Sequence, residues 1–392
     1  MQNRLQNRQI SLAGRFFSSL LGALQPWSRL ISPSPTSNSV RVGSLQDASF
    51  PRSRLIFVSL GRCTLVIEKR AMPTLTYTAT GFRGTAGSAL SGRHSLDVTW
   101  SELVWAAISV GRAGMRQILQ FGVYSVFEIV YRTALMYANL QETASGYLTR
   151  SDAYNALDPS EKGAVSYFLG LTVSKLFAER CLQVPWLLHL DVYRAQIGAV
   201  LRPGRSKPDL VGQDCNGNWV IVESKGRTNG FDEDALAKAK AQSRRVRTIS
   251  GSSPTLRLGV QTYFESSQLR LAIDDPEREE DGPLLDLPIT AEMIRHEYYQ
   301  PFRAWLDRGD HVERVAVGNR IYVVRSEPVL DLAVGLAEER YQGASTAVGA
   351  DAKKPIQRAA PDQFVGKDGI LVRLGSGWSS EMMRREPEHR LR

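Results

Sequence analysis

The most regular pattern of hydrophobic and polar positions lies between Glu161 and Phe264. Apolar side chains recur at spacings of three and four in two segments, which is typical of helices, and shorter apolar runs bounded by turn residues predict strands. In chain order the predicted elements are a helix over Glu161–Leu182, strands in VPWLLHLDVY (Val184–Tyr193), KPDLVG (from Lys207) and NWVIVESK (to Lys225), a helix over Asp232–Arg247 and a strand over Leu256–Phe264. The order is therefore α-β-β-β-α-β.

The third of these strands carries charge at its end. Side chains alternate between the two faces of a strand, so Trp219, Ile221, Glu223 and Lys225 share one face. The opposite face begins with two valines, and a strand that is apolar on both faces is typical of the covered centre of a sheet. Glu223 and Lys225 therefore emerge together where the covered part of the strand ends.

The hairpin before this strand sets its register. Asn216-Gly217 is a strong turn signal. A two-residue turn would pair Asp209 with Ser224, whereas a three-residue loop over Cys215–Gly217 sets Asp209 opposite Glu223, with Gly217 in the left-handed conformation. Opposed carboxylates destabilise a sheet unless a positive charge lies between them. Since hard oxygen ligands suit Mg²⁺ or Mn²⁺, the pattern predicts a divalent metal site. The alternative is an exposed Glu–Lys ion pair on an edge strand.

The regions outside this core have less regular patterns. Residues 1–96 are predicted to be mostly irregular, with two short strands in Arg54–Lys69, and residues 97–158 form a helical region rich in aromatic residues between Trp100 and Gln141. Residues 159–275 hold the core, and residues 276–392 form a small C-terminal α/β region. The predicted C-terminal elements are a helix near Ala291–Leu306, a strand at Arg320–Arg325, a helix near Pro328–Tyr341, and mobile segments at Gly343–Pro361 and after Ser379.

The composition of the chain favours some classes of function and excludes others. The chain has 392 residues and a formal net charge of +9, which favours acidic partners such as nucleic acid. Its three cysteines are far apart, so they suggest neither a disulfide framework nor a zinc site, and a reducing, cytoplasmic location is expected. No stretch reaches the roughly 18 apolar residues of a membrane span, and no membrane partner is expected. The acid-free, Arg-rich start before Asp47 reads as a transit peptide or degenerate signal, as disordered sequence, or as an upstream extension of a chain starting at Met72.

The motif Pro208-Asp209 followed by Glu223-Ser224-Lys225, on an α-β-β-β-α-β core, resembles the PD-(D/E)xK nuclease superfamily, the restriction-endonuclease-like proteins. The resemblance covers residues 160–265. It implies that Asp209 and Glu223 hold the metal, that the carbonyl of Ser224 adds a ligand, and that Lys225 orients or helps to deprotonate the attacking water. The expected activity is Mg²⁺- or Mn²⁺-dependent hydrolysis of phosphodiester bonds, in DNA.

Two helical residues that face the protein interior are further candidates for the site that the resemblance implies. Glu179 lies on the stripe of Val165, Leu169 and Leu176, and many superfamily members carry a metal-binding carboxylate on this helix. The alternative is a carboxylate that reaches solvent or pairs with Arg180 or Lys175. Gln242 faces inward on the second helix, where some nucleases place a catalytic glutamine; the alternative is a hydrogen-bonded core amide.

Basic residues near the proposed site are candidates for contact with nucleic acid. They are Arg205 and Lys207, before Asp209, and Arg244 and Arg247, at the end of the second helix. The helix charges also suit the helix dipole without any ligand. A catalytically inactive module of the same fold, binding nucleic acid or a protein, is the main alternative to an enzyme, and a secreted or structural interaction protein is another. The sequence leaves the choice between monomer and homodimer open.

Overall fold

The computed structural model describes residues 56–60, 63–67, 72–83, 87, 89–110, 123–193, 207–275, 285–308, 311–343 and 362–384. The protein is a mixed α/β structure with several sheets. The chain divides into two compact units, Met1–Glu68 and Lys69–Arg392. Within the described ranges, no helix is both long enough and apolar enough to cross a membrane.

The elements of the described residues are named here in chain order. The strands are β1 (Ile56–Leu60), β2 (Cys63–Ile67), β3 (Thr74–Thr80), β4 (Gly92–Asp97), β5 (Leu140–Glu142), β6 (Leu148–Arg150), β7 (Trp186–His189), β8 (Leu210–Gln213), β9 (Trp219–Gly226), β10 (Val246–Ile249), β11 (Leu256–Glu265), β12 (Gln268–Asp274), β13 (Leu285–Leu287), β14 (Val312–Val317), β15 (Arg320–Glu327), β16 (Leu332–Ala337), β17 (Gln363–Val365) and β18 (Ile370–Leu374). The helices are α1 (Trp100–Ser109), α2 (Val123–Asn139), α3 (Asp152–Ala156), α4 (Pro159–Leu182), α5 (Glu233–Ser243), α6 (Ala291–Asp307), α7 (Glu338–Tyr341) and α8 (Ser380–Met383).

The first unit contains a hairpin. Strands β1 and β2 pair antiparallel, with Ile56 opposite Ile67. The two short strands predicted in Arg54–Lys69 are therefore confirmed.

The second unit is organised around one large mixed sheet. Its strand order is β4-β3-β12-β11-β9-β8-β7, and off this path β6 pairs with β12 while β5 pairs with β6. Strands β7, β8 and β9 form an antiparallel meander, whereas β11 runs parallel to β9. The predicted α-β-β-β-α-β succession is present as α4, β7, β8, β9, α5 and β11, with the short strand β10 between α5 and β11.

Helices α4 and α5 cover opposite faces of the strands around β9. On one face, Ser174 of α4 donates to the hydroxyl of Ser224 at 3.0 Å. On the other face, Gly259 of β11 leaves room for Lys240 of α5, whose backbone nitrogen would lie 2.9 Å from a Cβ at that position. Since Gly259 is the register partner of Glu223, the side of the sheet that carries Glu223 is the α5 side.

Residues 72–97 correct the prediction of irregular structure before residue 97. Strand β3 alternates between buried and more exposed side chains, with Leu75, Tyr77 and Ala79 inward, and it pairs parallel with β12 and antiparallel with β4. Its seven residues have the period of a strand, but their main partner lies far along the chain. The aromatic-rich stretch from Trp100 contains α1 and α2, so its helical prediction holds for those residues.

The C-terminal region forms a five-stranded antiparallel sheet in the order β14-β15-β16-β18-β17. The predicted helix near Ala291–Leu306 is confirmed as α6, and the strand at Arg320–Arg325 as β15. The helix predicted near Pro328–Tyr341 is wrong for most of its length, because the buried run Leu332–Ala337 pairs with a strand on each side as β16. Short apolar runs do not distinguish a buried strand from a buried helix. The segments predicted to be mobile lie largely outside the described residues, while Ser380–Met383 forms α8.

Candidate active site

Asp209 and Glu223 lie opposite each other at one edge of the sheet. The β8–β9 ladder pairs Leu210 with Val222 and Gln213 with Trp219, which sets the next residue, Asp209, against Glu223. The Asp214 amide donates to the Asn218 carbonyl at 2.9 Å, so three residues form the loop. Gly217 has φ 89°, the left-handed conformation that glycine adopts without strain. The predicted three-residue loop and its register are therefore present.

Hydrogen bonds tie the two carboxylates to each other's backbone. The amide of Asp209 donates to Oε2 of Glu223 at 2.9 Å, and the amide of Ser224 donates to Oδ2 of Asp209 at 3.1 Å. The ammonium of Lys225 forms an ion pair with Oε1 of Glu223. Asp209, Glu223 and Lys225 thus form one connected group, with both carboxylates oriented by main-chain donors.

The electrostatics of this group centre on Glu223, which is only 1% exposed. Burial and, to a lesser extent, the neighbouring charge of Asp209 raise its pKa to about 7, although Lys225 acts in the opposite direction. One lysine is therefore too little positive charge for two carboxylates, one of them buried. Bringing a cation to this edge favours the ionised form of Glu223.

Lys225 lies between the buried carboxylate and solvent. Its side chain is 31% exposed although its ammonium is held by Glu223. Across the sheet its register partner is Gln261 of β11, whose side chain binds the backbone of Asp232 before α5. Lys225 is thus the solvent-accessible member of the group at the end of the central strand.

Glu179 does not join this site, which corrects its prediction as a third metal ligand. It is fully buried on α4, the helix that packs on the face opposite Glu223, where its Oε1 accepts from the amide of Lys367 at 2.9 Å. Glu179 is five residues, or about 7.5 Å, further along the helix than Ser174, which contacts Ser224. Its inward orientation is as the helical period predicts, but its depth along the helix takes it away from the site.

Glu179 instead belongs to a buried charged cluster with Lys175 and Asp368. Asp368, in the turn between β17 and β18, accepts from Trp105 at 3.1 Å and from Tyr298 at 2.6 Å. The Lys175 ammonium lies 4.5 Å from the Trp105 ring centroid. Burial raises the pKa of Glu179 to about 7, and Lys175 opposes that shift. The cluster joins α1, α4 and α6 to the C-terminal sheet.

Gln242 is half-buried near the end of α5. Ser243 beside it donates to the carbonyl of Arg257 at 3.1 Å, so this turn lies on the β11 residues that precede Gly259. Within the described part of the chain, the Gln242 side chain has no hydrogen bond to Asp209, Glu223 or Lys225. Its predicted inward orientation is only partial, and its role in catalysis stays a prediction.

The predicted nucleic-acid contacts fall at different places. Arg205 lies outside the described residues. Lys207 forms an ion pair with Asp191, close to Asp209. Arg244 follows the last residue of α5 and is half-buried. Arg247 is on β10 rather than on the predicted helix, because α5 ends at Ser243, and it forms an exposed ion pair with Asp286 of β13.

Sequence reasoning missed a polar network on the α4 side of the same sheet edge. Tyr167 of α4 lies 2.9 Å from Nε2 of His189, and the Asp191 amide donates to Nδ1 of His189 at 3.3 Å. Nδ1 of His189 also lies 3.7 Å from Oδ2 of Asp191, so the network joins a phenol, an imidazole and a carboxylate. The strand prediction over Val184–Tyr193 hid this group, because β7 ends at His189 and a single 3₁₀ turn follows.

The donor set limits what metal this edge can hold. Among the described residues, no group of three or more His, Cys, Asp or Glu side chains is arranged to hold a metal ion. Two carboxylates, however, are the protein share of many Mg²⁺ sites, in which water and substrate phosphates complete the coordination. Asp209 and Glu223 fit that kind of site and not an all-protein cage.

No protein-family model, curated protein or solved structure matches this chain. The function of the site is therefore inferred from its own geometry.

Proposed function

We propose that the protein is a metal-dependent nuclease that hydrolyses phosphodiester bonds in DNA, with a restriction-endonuclease-like core of the PD-(D/E)xK kind over residues 159–275. The observation that carries the proposal is the pairing of Asp209 with Glu223, with Lys225 on the same face at the end of a covered strand. The two helices on opposite faces of the sheet and the α-β-β-β-α-β succession support it further.

Each residue has a distinct part in the proposed reaction. Asp209 and Glu223 would hold Mg²⁺ or Mn²⁺, which supplies a hydroxide-like water and a counter-charge for the phosphate when bound. Lys225 would donate a hydrogen bond to the attacking water or to a phosphate oxygen. The backbone amides of Asp209 and Ser224 fix both carboxylates, so little reorganisation is needed when the substrate arrives.

The alternative is the same fold without catalysis, used to bind nucleic acid or a protein. A closed Glu223–Lys225 ion pair is compatible with it, because that pair satisfies part of the buried charge without a metal. The presence of Asp209 beside the pair favours the enzyme, since it adds a second negative charge that raises the pKa of Glu223.

The decisive experiment is cleavage of supercoiled plasmid in Mg²⁺ and in Mn²⁺. Wild type should convert plasmid to nicked or linear forms, EDTA should stop the reaction, and Asp209→Asn should be inactive while remaining folded by circular dichroism. Glu313→Gln is the matched control, because Glu313 is an exposed carboxylate on β14. If the wild-type protein binds DNA but leaves it intact in both metals, the proposed nuclease activity is contradicted and the alternative, a catalytically inactive binding module, is supported.

A further inference from the structure

The segment that follows Lys225 is fixed against strand β11. The amide of Arg227 donates to the carbonyl of Thr262 at 2.8 Å, and the amide of Phe264 donates to the carbonyl of Asn229 at 3.2 Å. The fully buried Gln261 holds Asp232 from both sides, accepting from its amide at 2.8 Å and donating to its carbonyl at 2.6 Å. This segment is therefore a fixed wall beside the proposed catalytic lysine.

That wall presents an aromatic ring to solvent. Phe231 is 49% exposed, and its ring lies edge-on to Tyr263, with 5.6 Å between centroids and an interplanar angle of 61°. Tyr263 is one strand across from Lys225 and two residues further along, which places this aromatic pair about 8 Å from the backbone of Lys225. The contact orients Phe231 and leaves about half of the side chain accessible.

A polar, uncovered part of the sheet continues from Phe231. Register partners carry the row of Lys225 across Gln261, Ala272 and Thr78 to Arg93 on β4. The next row runs from Tyr263 across Arg270 and Thr76 to Ser95. Thr78, Arg93 and Ser95 are exposed on this side. We call the surface formed by Thr76, Thr78, Arg93, Ser95 and Arg270 the open sheet face. Gln261 and Ala272 are buried between it and Lys225, and Arg93 lies four strand spacings, about 19 Å, from Lys225.

The charge of the open sheet face is carried by arginines. Arg270 lies 2.9 Å from Glu265, while Arg93 has no ion pair with any residue that the structure describes. Burial raises the pKa of Tyr263, and the charges of Arg270 and Arg93 oppose that shift, which is consistent with both guanidinium groups lying on the Tyr263 side. Arg227, beside Phe231, pairs with Asp232. The positive charge that is not matched by an ion pair is therefore that of Arg93, at the end of the open sheet face farthest from Lys225.

We propose that a single strand of nucleic acid binds across the open sheet face, with one unpaired base stacked on Phe231 and its phosphates against Arg93 and Arg270. Only an unpaired base has a face free for an exposed ring, since bases within a duplex already stack on their neighbours. The threonine and serine hydroxyls can bond phosphate or base edges without sequence preference. The inference rests on the proposed function for its choice of ligand, and it makes single strands or frayed ends the substrate class.

The test is fluorescence anisotropy of the full-length protein in EDTA, which separates binding from cleavage. The probes are a labelled oligothymidylate of about ten nucleotides, within the usual site size of such surfaces, and a blunt duplex of equal length. Phe231→Ala should weaken single-strand binding about tenfold and duplex binding less than twofold, and Phe231→Trp should restore it. Phe127→Ala is the matched control, because Phe127 is 47% exposed on α2. Arg93→Ala should lower the slope of log affinity against log salt by about 1.

Three results would overturn the inference: a Phe231→Ala protein that binds the single strand as tightly as wild type, a wild type that binds the duplex more tightly than the single strand, or a wild type that binds neither probe. Failure of the nuclease is read separately, from plasmid and from a labelled single-stranded oligonucleotide, each incubated with Mg²⁺ or Mn²⁺. If the protein cleaves nothing but Phe231→Ala weakens single-strand binding, the binding surface is supported and the nuclease is contradicted. If the protein cleaves and Phe231→Ala has no effect on binding, the nuclease is supported and the binding surface is contradicted.

Discussion

Lys225 holds a carboxylate that is far more buried than itself: Glu223 is 1% exposed, whereas the Lys225 side chain is 31% exposed. The proposed role of Lys225 involves one water and one phosphate, while affinity for DNA is spread over many basic residues. We expect Lys225→Ala to lower plasmid cleavage by roughly 10²–10⁴-fold, the usual contribution of a positioned proton donor or acceptor. Gel-shift binding in Ca²⁺ should stay within about twofold of wild type.

Lys162→Ala is the control for Lys225→Ala, because Lys162 is a half-exposed lysine near the start of α4, outside the proposed site. Removing Lys225 also leaves Glu223 buried without its cation, so circular dichroism must show that the variant is folded before its activity is compared. Equal loss of cleavage and binding would mean that Lys225 supports substrate affinity and not the chemical step.

The pKa of Glu223, raised to about 7 by burial and by Asp209, gives cleavage a pH dependence. A metal ligand must be ionised, so the rate should rise about tenfold per pH unit below 7 and level off above it. A bound cation favours the carboxylate, so the midpoint should move to lower pH as the Mg²⁺ concentration increases. Initial rates between pH 5.5 and 9 at several Mg²⁺ concentrations measure this. A midpoint that does not move with Mg²⁺ would exclude Glu223 as the titrating ligand.

Glu179 should affect stability and not catalysis. Its pKa is raised from 4.5 to about 7 in the folded chain, so folding favours its protonated form. The free energy of unfolding should therefore fall as pH rises between about 4.5 and 7, by up to about 1.4 kcal/mol per pH unit for each such group. Glu179→Gln should remove its share of this slope in urea titrations and leave plasmid cleavage unchanged. If a folded Glu179→Gln protein no longer cleaved plasmid, Glu179 would have to take part in catalysis after all.

Gly226, directly after Lys225, allows α4 to approach β9 closely. A Cβ at this position would collide with the carbonyl of Ser166, whereas one at Gly163 meets nothing within 4 Å. Gly226→Ala should lower the free energy of unfolding by about 1–3 kcal/mol, as overpacking does. Gly163→Ala, which replaces a glycine within α4 itself, should raise the free energy of unfolding by up to about 1 kcal/mol. Urea denaturation of both variants tests the contrast, and a Gly226→Ala protein as stable as wild type would show that the helix can move away.

A chain that begins at Met72 should fold and keep any nuclease activity. It retains all of β3 and the compact unit from residue 72 onward. A chain that begins at Val98 loses β3 and β4 and exposes the edge of β12, so it should be poorly soluble. Thermal unfolding of both truncations, compared with the full chain, tests this. Failure of the Met72 chain would show that residues 1–71 are needed for folding.

The register of the site was predictable, while its surroundings were not. The three-residue loop and the period of two determine which side chains face each other, and both are local properties of residues 209–225. Glu179 was misplaced because a helical stripe gives the direction of a side chain but not its distance along the helix from a given strand. Strand β3 depends on a partner distant in the chain, which local periodicity does not specify. The strand Leu332–Ala337 is a short apolar run, which periodicity does not distinguish from a buried helix. The Tyr167–His189 pair lies where the predicted strand gives way to a 3₁₀ turn.

The position of β3 bears on how the chain acquires its structure. Its Thr80 contacts Ile273 of β12, 193 residues later. While the protein is being synthesised, β3 and β4 can form only a two-stranded ribbon, which is marginal in water. The large sheet can form around them only after β12 has emerged. Bringing β3 and β12 together closes a long loop, which has an entropic cost and makes this step slow. Until then the apolar side of β3 lacks its cover, and because exposed apolar strands are prone to aggregate, completion of the sheet is a step at which misassembly competes with folding.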